Sequence, residues 1–321
     1  MHYRDERPSR PTKDTRMTTP VYTADPTPLP RAEHGEGPTW DGRYSRLMWV
    51  DQFAGLVHVG SAEDGQAVEL ERTYDVGAPV GAVVPLLEPG LGWMIASGDG
   101  FAHLGEDGVV TAVASPLEGE THRLRMNDGT CDPEGRFWAG SMAWDQTPGA
   151  GALYRLDLDG SSTTVLKKVT ISNGMAWSGE GGLAYYIDTP TQKVDVLAVA
   201  PDGALLARRT AFEIDMETGA PDGMTIDDEG CLWVALWGGS AVHRYSPEGQ
   251  LLAVVEVDAP QVTSCAFGGP DRDVLFITTS QEGYGPAESA AHALAGRVFR
   301  VKVDVTGQAA LPYRGGLPVR A

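Results

Sequence analysis

The sequence predicts an all-β fold, a six-bladed β-propeller. Three observations carry that prediction. Short runs rich in β-branched and aromatic residues, with apolar and polar positions alternating, are bounded by Asp-Gly, Asn-Gly and Glu-Gly turns. A common pattern recurs with openers at Glu36, Ala82, Asn127, Asn173, Asp222 and Ser264, steps of 42 to 49 residues. No window carries a helical period, which excludes the helical repeats of similar length. The paired Gly-His and Trp-Asp signature of WD40 propellers is also absent.

The clearest copy is Pro221–Ala235, PDGMTIDDEGCLWVA: a carboxylate beside a glycine, a strand, an acidic turn at Asp228-Glu229-Gly230 and a second strand carrying Trp233. In chain order, residues 1–20 read as a flexible arm and residues 21–321 as one propeller domain. Deletion of 1–16 is expected to be silent. The strand near Val21–Ala24 is expected to pair into the last blade and close the ring, since an open ring leaves edge strands exposed. The first blade runs from Glu36 through Leu47–Asp51 and Leu56–Val59, the second from Val80 through Gly92–Ser97 and Gly100–Leu104. The third opens at Asn127, turns at Asp132–Gly135 and continues through Arg136–Ala139 and Ala152–Leu156. The fourth takes Asn173, Ala184–Asp188 and Lys193–Leu197, and the fifth Asp222, Leu232–Ala235 and Ala241–Tyr245. The sixth takes Thr263–Phe267, Val274–Thr278 and Arg297–Val301, broken by an insertion from Gln281 to Gly296 that either covers the channel mouth or is a solvated loop.

Composition narrows the function classes. With 42% hydrophobic residues the chain can bury a sizeable core. A formal net charge of −19 repels phosphate backbones and anionic lipid, so neither nucleic acid nor a membrane is an expected partner. Cys131, Cys231 and Cys265 are odd in number and form no CxxC pair, a pattern of reduced thiols in a cytoplasmic protein. The N-terminus lacks the apolar core of a signal peptide. There is no GxSxG elbow and no HExxH. His34 stands two residues before Glu36 and reads as an ordinary loop histidine. Asp157-Leu-Asp-Gly160 reads as a hairpin turn, not a calcium loop.

The chemistry lies at one phase of the repeat. Strands of a propeller run outward from a central channel, and Glu36, Asn127, Asn173 and Asp222 all stand where the innermost strand begins. Asn-Gly and Asp-Gly dipeptides are turn formers in their own right. Four oxygen-bearing side chains at one repeat phase point instead to a shared site for a hard divalent cation.

The segments GEGPTW, RMNDGTCDPEGRFWAGSM, ISNGMAW with YYIDT, APDGMTIDDEGCLWVA, and TSCAFGG with LFIT together resemble the motif set of the SMP-30/gluconolactonase/regucalcin-like family, in order, across residues 33–315. The resemblance implies a six-bladed propeller with one divalent metal in its channel, Ca²⁺ first among the candidates with Mg²⁺, Mn²⁺ or Zn²⁺ as alternatives, and hydrolysis of sugar lactones. It implies Glu36, Asn173 and Asp222 as metal ligands; general acid–base chemistry then offers Asp222, or a water activated by the metal alone, as the base. Arg125 and Asn127 match the substrate-contacting segment. Where the regucalcins carry a glutamate pair, this chain has Ala143-Trp144-Asp145, so Trp144 and Asp145 are expected to contact the sugar in a different way. Gln52 replaces an apolar residue. The expected partner is a small sugar lactone and the expected state a monomer or weak oligomer. Two other readings stand beside this one: a non-catalytic calcium-binding propeller, and a metal-dependent esterase or lactonase of broader specificity.

Overall fold

In the computed structural model, residues 19–62, 68–179 and 181–317 are described. Six sheets stand in a ring; four of them have four antiparallel strands in sequence order from channel to rim, and the other two each add a strand from the N-terminal segment. Their innermost strands are Gly35–Asp41, Val80–Pro85, Leu124–Cys131, Ser172–Trp177, Ala220–Ile226 and Val262–Gly268. Burial falls from centre to edge. The inner strand Val80–Pro85 is wholly buried, whereas the outer strand Glu69–Asp75 is exposed at every residue but Tyr74. Most of the expected arm, residues 1–18, lies outside the described residues.

The apolar core is divided into six clusters, one at each junction between neighbouring blades. This follows from the alternation in the sequence. A blade has two apolar faces, and each is covered only by the blade beside it. The ring closes where blade six meets blade one, with Trp40 stacked on Phe276 at 5.7 Å and Leu29 and Val298 packed beside them. Tight turns are pinned by buried aspartates. Asp132 accepts from the indole Nε1 of Trp138 at 2.9 Å, and Asp227 from that of Trp233 at 2.9 Å, six residues on in both cases.

Closure differs from the expectation in one respect. Val21–Thr23 does not complete the last blade; it runs parallel to Leu251–Glu256 as a fifth strand on blade five. The outermost strand of blade six is Asp25–Pro26, paired antiparallel with Phe299–Arg300. The chain thus crosses from one blade to the next within two residues. A proline suits that edge position, because no further strand needs its missing N–H. The insertion holds the one α-helix among the described residues, Pro286–Ala291, with Pro286 in its first turn and the Glu288 carboxylate accepting from Gly285 N at 2.8 Å.

Candidate active site

Every innermost strand breaks register with its neighbour at or beside its opener. The shifts fall between Glu36 and Thr39, Val80 and Ala82, Met126 and Gly129, Ser172 and Met175, Pro221 and Met224, and Val262 and Ser264. A β-bulge adds a residue to one strand and re-aims its side chain. Asn127, Asn173 and Asp222 fall within these breaks, and Glu36 borders one. The Asn173-Gly174 and Asp222-Gly223 dipeptides are accordingly strand bulges and not turns. Their glycines are required by crowding around the axis: a Cβ on Gly174 would lie 2.7 Å from the carbonyl oxygen of Asp222, and one on Gly223 would overlap the Ser264 side chain.

Glu36, Arg125, Asn127, Asn173 and Asp222 line one cavity of about 270 Å³ at this end of the channel, and Trp144 lines its mouth. Asp145 is not brought in. Its side chain is exposed and accepts from the backbone N–H and hydroxyl of Thr147, at 3.1 and 2.8 Å, closing a local turn.

The amides form a chain. Asn127 Nδ2 donates to Asn173 Oδ1 and to the carbonyl of Ser172, both at 2.7 Å. Asn173 Nδ2 donates to Thr189 Oγ1 at 2.7 Å, and Thr189 passes its own proton to the carbonyl of Pro221 at 2.7 Å. Arg125 Nη1 donates to Asn127 Oδ1 and Gln52 Oε1, and Gln52 Nε2 donates to the carbonyl of Asn127 at 3.3 Å. The Gln52 departure thus has a use: it holds the guanidinium from below. Burial lowers the Arg125 pKa to about 10, against the opposing pull of Glu282, Glu36 and Asp222, so the side chain keeps its charge.

The carboxylates are in a different condition. Burial, then the neighbouring charges of Glu36 and Asp128, raises the Asp222 pKa well above the ordinary range. Burial and Asp128 likewise raise that of Glu36, whose Oε2 accepts from Gly37 N at 3.0 Å and from no other donor among the described residues. No donor among the described residues reaches the Asp222 carboxylate. Two buried acids that repel each other, one of them without a hydrogen bond, are costly unless a cation lies between them. Among the described residues no three His, Cys, Asp or Glu side chains come together to hold a metal. Among the other oxygens lining the cavity, Asn173 Oδ1, which has two lone pairs, retains capacity beyond the bond from Asn127. Two carboxylates and one amide oxygen fit a hard divalent cation.

Sequence reasoning gave His34 an ordinary loop role and did not single out Phe53, Trp237 or Glu282, which also line the cavity. His34 is buried, stacks on Phe53 at 4.4 Å and shares a 2.8 Å hydrogen bond with Ser280 Oγ. Arg125 lies over the rings of Phe53 and Trp144, at 5.2 and 5.5 Å. These are lone aromatics outside the repeated segments, so no periodicity marks them. Further along the same inner strands, Asp128, Met175, Met224 and Cys265 line a second cavity of about 120 Å³ in the other part of the channel, bounded by Gln308–Leu311. The three cysteines are free and buried. No helix among the described residues is long and apolar enough to cross a membrane.

The sequence profile of the SMP-30/gluconolactonase/LRE-like region matches residues 34–281. A regucalcin from Danio rerio is 37% identical over 289 residues, covering 88% of this chain and 95% of that protein. A 6-deoxy-6-sulfogluconolactonase from Pseudomonas putida is 34% identical over 283 residues, covering 88% and 95%. Among solved structures, a calcium-binding regucalcin from Agrobacterium tumefaciens matches with a TM-score of 0.85 at 27% identity, covering 92% of this chain and 100% of that one.

Proposed function

The chain belongs to the SMP-30/gluconolactonase/LRE-like family, and on that premise we propose that it is a divalent-metal-dependent lactonase that opens sugar lactones to aldonic acids. The observation that carries the reading is the convergence of Glu36, Asn127, Asn173 and Asp222, from four bulged inner strands, on one cavity beside a buried arginine. The lactonase name of the Pseudomonas putida relative agrees with it.

Glu36, Asn173 and Asp222 would hold the cation, Ca²⁺ being the first candidate on the strength of the donor set and of the calcium-binding relative. When bound, it would supply Lewis acidity to the lactone carbonyl. The remaining work falls to the side chains. Arg125 and Asn127 orient the ester and the sugar hydroxyls, and their fixed hydrogen bonds mean that little reorganisation accompanies reaction. Trp144, Phe53 and Trp237 offer apolar faces to the sugar C–H groups and keep bulk water from the mouth. Asp222 takes a proton from the attacking water as its oxygen bonds to the carbonyl carbon. It returns a proton to the ring oxygen as that C–O bond breaks, leaving a hydroxy acid. The proposal includes a cytoplasmic setting, in which the buried thiols stay reduced.

Proton release from D-glucono-1,5-lactone, followed at constant pH with chelator and then with added Ca²⁺ or Mn²⁺, tests the reading. Lactone opening that depends on the added ion supports it. Ion binding without any lactone opening would instead identify a calcium-binding propeller that lacks catalysis.

A further inference from the structure

Most polar groups in the cavity are already engaged within the protein. Both amide groups of Asn127 and of Asn173 are hydrogen-bonded, as is the Thr189 hydroxyl, and one Arg125 nitrogen serves Gln52 and Asn127. A polyhydroxylated substrate also needs acceptors for its O–H groups. Of the three carboxylates lining the cavity, Glu36 and Asp222 form the cation pair, and the third is Glu282.

Glu282 is built into place. It sits second in a turn in which Tyr284 N donates to the carbonyl of Gln281 at 3.1 Å, with Gly283 at a φ of 76° that favours glycine. Its own N–H donates to Ser280 Oγ at 2.9 Å, and its carbonyl accepts from Gln261 Nε2 at 3.2 Å. The backbone is thus fixed on both sides, while the side chain makes no hydrogen bond within the described residues. Its Oε2 stands 3.6 Å from His34 Nδ1, beyond hydrogen-bond reach, and no donor among the described residues satisfies it. The side chain lines the cavity and is 41% exposed, so a ligand entering there can reach it. Glu282 and Arg125 line the same cavity, and the carboxylate helps hold the guanidinium charged against the effect of burial.

Resting on the lactonase reading above, we propose that Glu282 is a specificity-determining residue, accepting hydrogen bonds from vicinal hydroxyls of the sugar lactone while Arg125 donates to the oxygens of the same substrate. It supplies from blade six a carboxylate that the Ala143-Trp144-Asp145 segment does not. It touches substrate and takes no part in holding the cation.

Glu282→Gln and Glu282→Ala, assayed on D-glucono-1,5-lactone and on δ-valerolactone, which has no hydroxyl groups, test this. The expected result is a rise in KM for the gluconolactone of about tenfold in the glutamine variant and more in the alanine variant, with kcat within about twofold and KM for δ-valerolactone unchanged. Calcium affinity, measured by calorimetry on the same variants, stays at the wild-type value. An equal change for both lactones, no change for either, or a loss of calcium affinity overturns the proposal. The glutamine variant keeps the side-chain shape, so it decides the matter if the alanine variant does not fold. Failure of the wild-type protein to open any lactone would sink the functional reading itself, a result distinct from all of these.

Discussion

Asn127 donates a hydrogen from Nδ2 to Asn173 Oδ1 at 2.7 Å, joining blades three and four at the channel axis. The same nitrogen serves the carbonyl of Ser172, and Oδ1 of Asn127 accepts from Arg125. One amide thus presents its acceptor to the guanidinium and its donor to a candidate metal ligand, which fixes the orientation of both neighbours. A carboxylate at this position would set oxygen against oxygen. Asn127→Asp is expected to lower lactone opening by about 100-fold or more and to cost about 1–3 kcal/mol of stability, because two buried acceptors lose their donor. Urea unfolding alongside the lactone assay checks both numbers; a variant with wild-type activity would remove Asn127 from the site.

Asp222→Asn separates function from stability. The carboxylate is buried, faces Glu36 and receives no hydrogen bond from the described residues, so it opposes folding of the cation-free chain. The isosteric amide removes that repulsion. Activity is expected to fall by about 10³-fold or more, while the Tm of the chelator-stripped variant equals or exceeds that of stripped wild type. A stripped variant that melts well below wild type would show that the charge is compensated by something else.

The repeat made the fold legible in the sequence. Six openers at nearly even spacing gave six blades, because each blade must bury both faces against its neighbours and so repeats the same alternation. The phase shared by Glu36, Asn127, Asn173 and Asp222 likewise pointed to one end of the channel. What the sequence did not disclose were features outside the repeat. Glu282 and Phe53 reach the cavity from loops, where no period marks the residue that turns inward. Asp145 was drawn in by its place in the chain, yet its short side chain is captured by Thr147 two residues on. The closing strand was misplaced by a few residues because Val21–Thr23 and Asp25–Pro26 are both short and extended, and only the three-dimensional ring shows which blade each meets.

That difference sets up a truncation series. Removing residues through Ala24 takes the parallel strand from blade five and leaves the pairing of Asp25–Pro26 with blade six. Removing residues through Leu29 also strips blade six of its outer strand and takes a side chain that is 2% exposed out of the closing cluster. The first deletion is expected to lower Tm by a few degrees. The second should cost at least the ~2–5 kcal/mol of losing a buried leucine, with loss of the cooperative transition as the extreme. Equal melting of the two would contradict the assigned closure.

Acid sensitivity has an identifiable source away from the channel. His58, stacked on Trp49 at 4.9 Å, and His243, hydrogen-bonded to Tyr245 Oη at 2.9 Å, have pKa values lowered by burial. Each stays neutral in the fold under conditions in which the unfolded chain already takes a proton. Their contribution is therefore fully present above the unfolded value near 6.5 and is lost as pH falls below it, by at most about 1.4 kcal/mol per pH unit for each histidine. Denaturation measured at pH 7.5, 6.5 and 5.5 should show a shallower decline in His58→Gln than in wild type. Parallel curves would assign the acid response to other groups.

The most direct test is calorimetric titration of Ca²⁺ into chelator-stripped protein, with lactone opening followed at each addition. The account predicts one site per chain, activity that rises in step with its occupancy, and loss of both in Glu36→Ala and Asp222→Ala. Full activity in the stripped protein, or undiminished calcium binding by either variant, would contradict it.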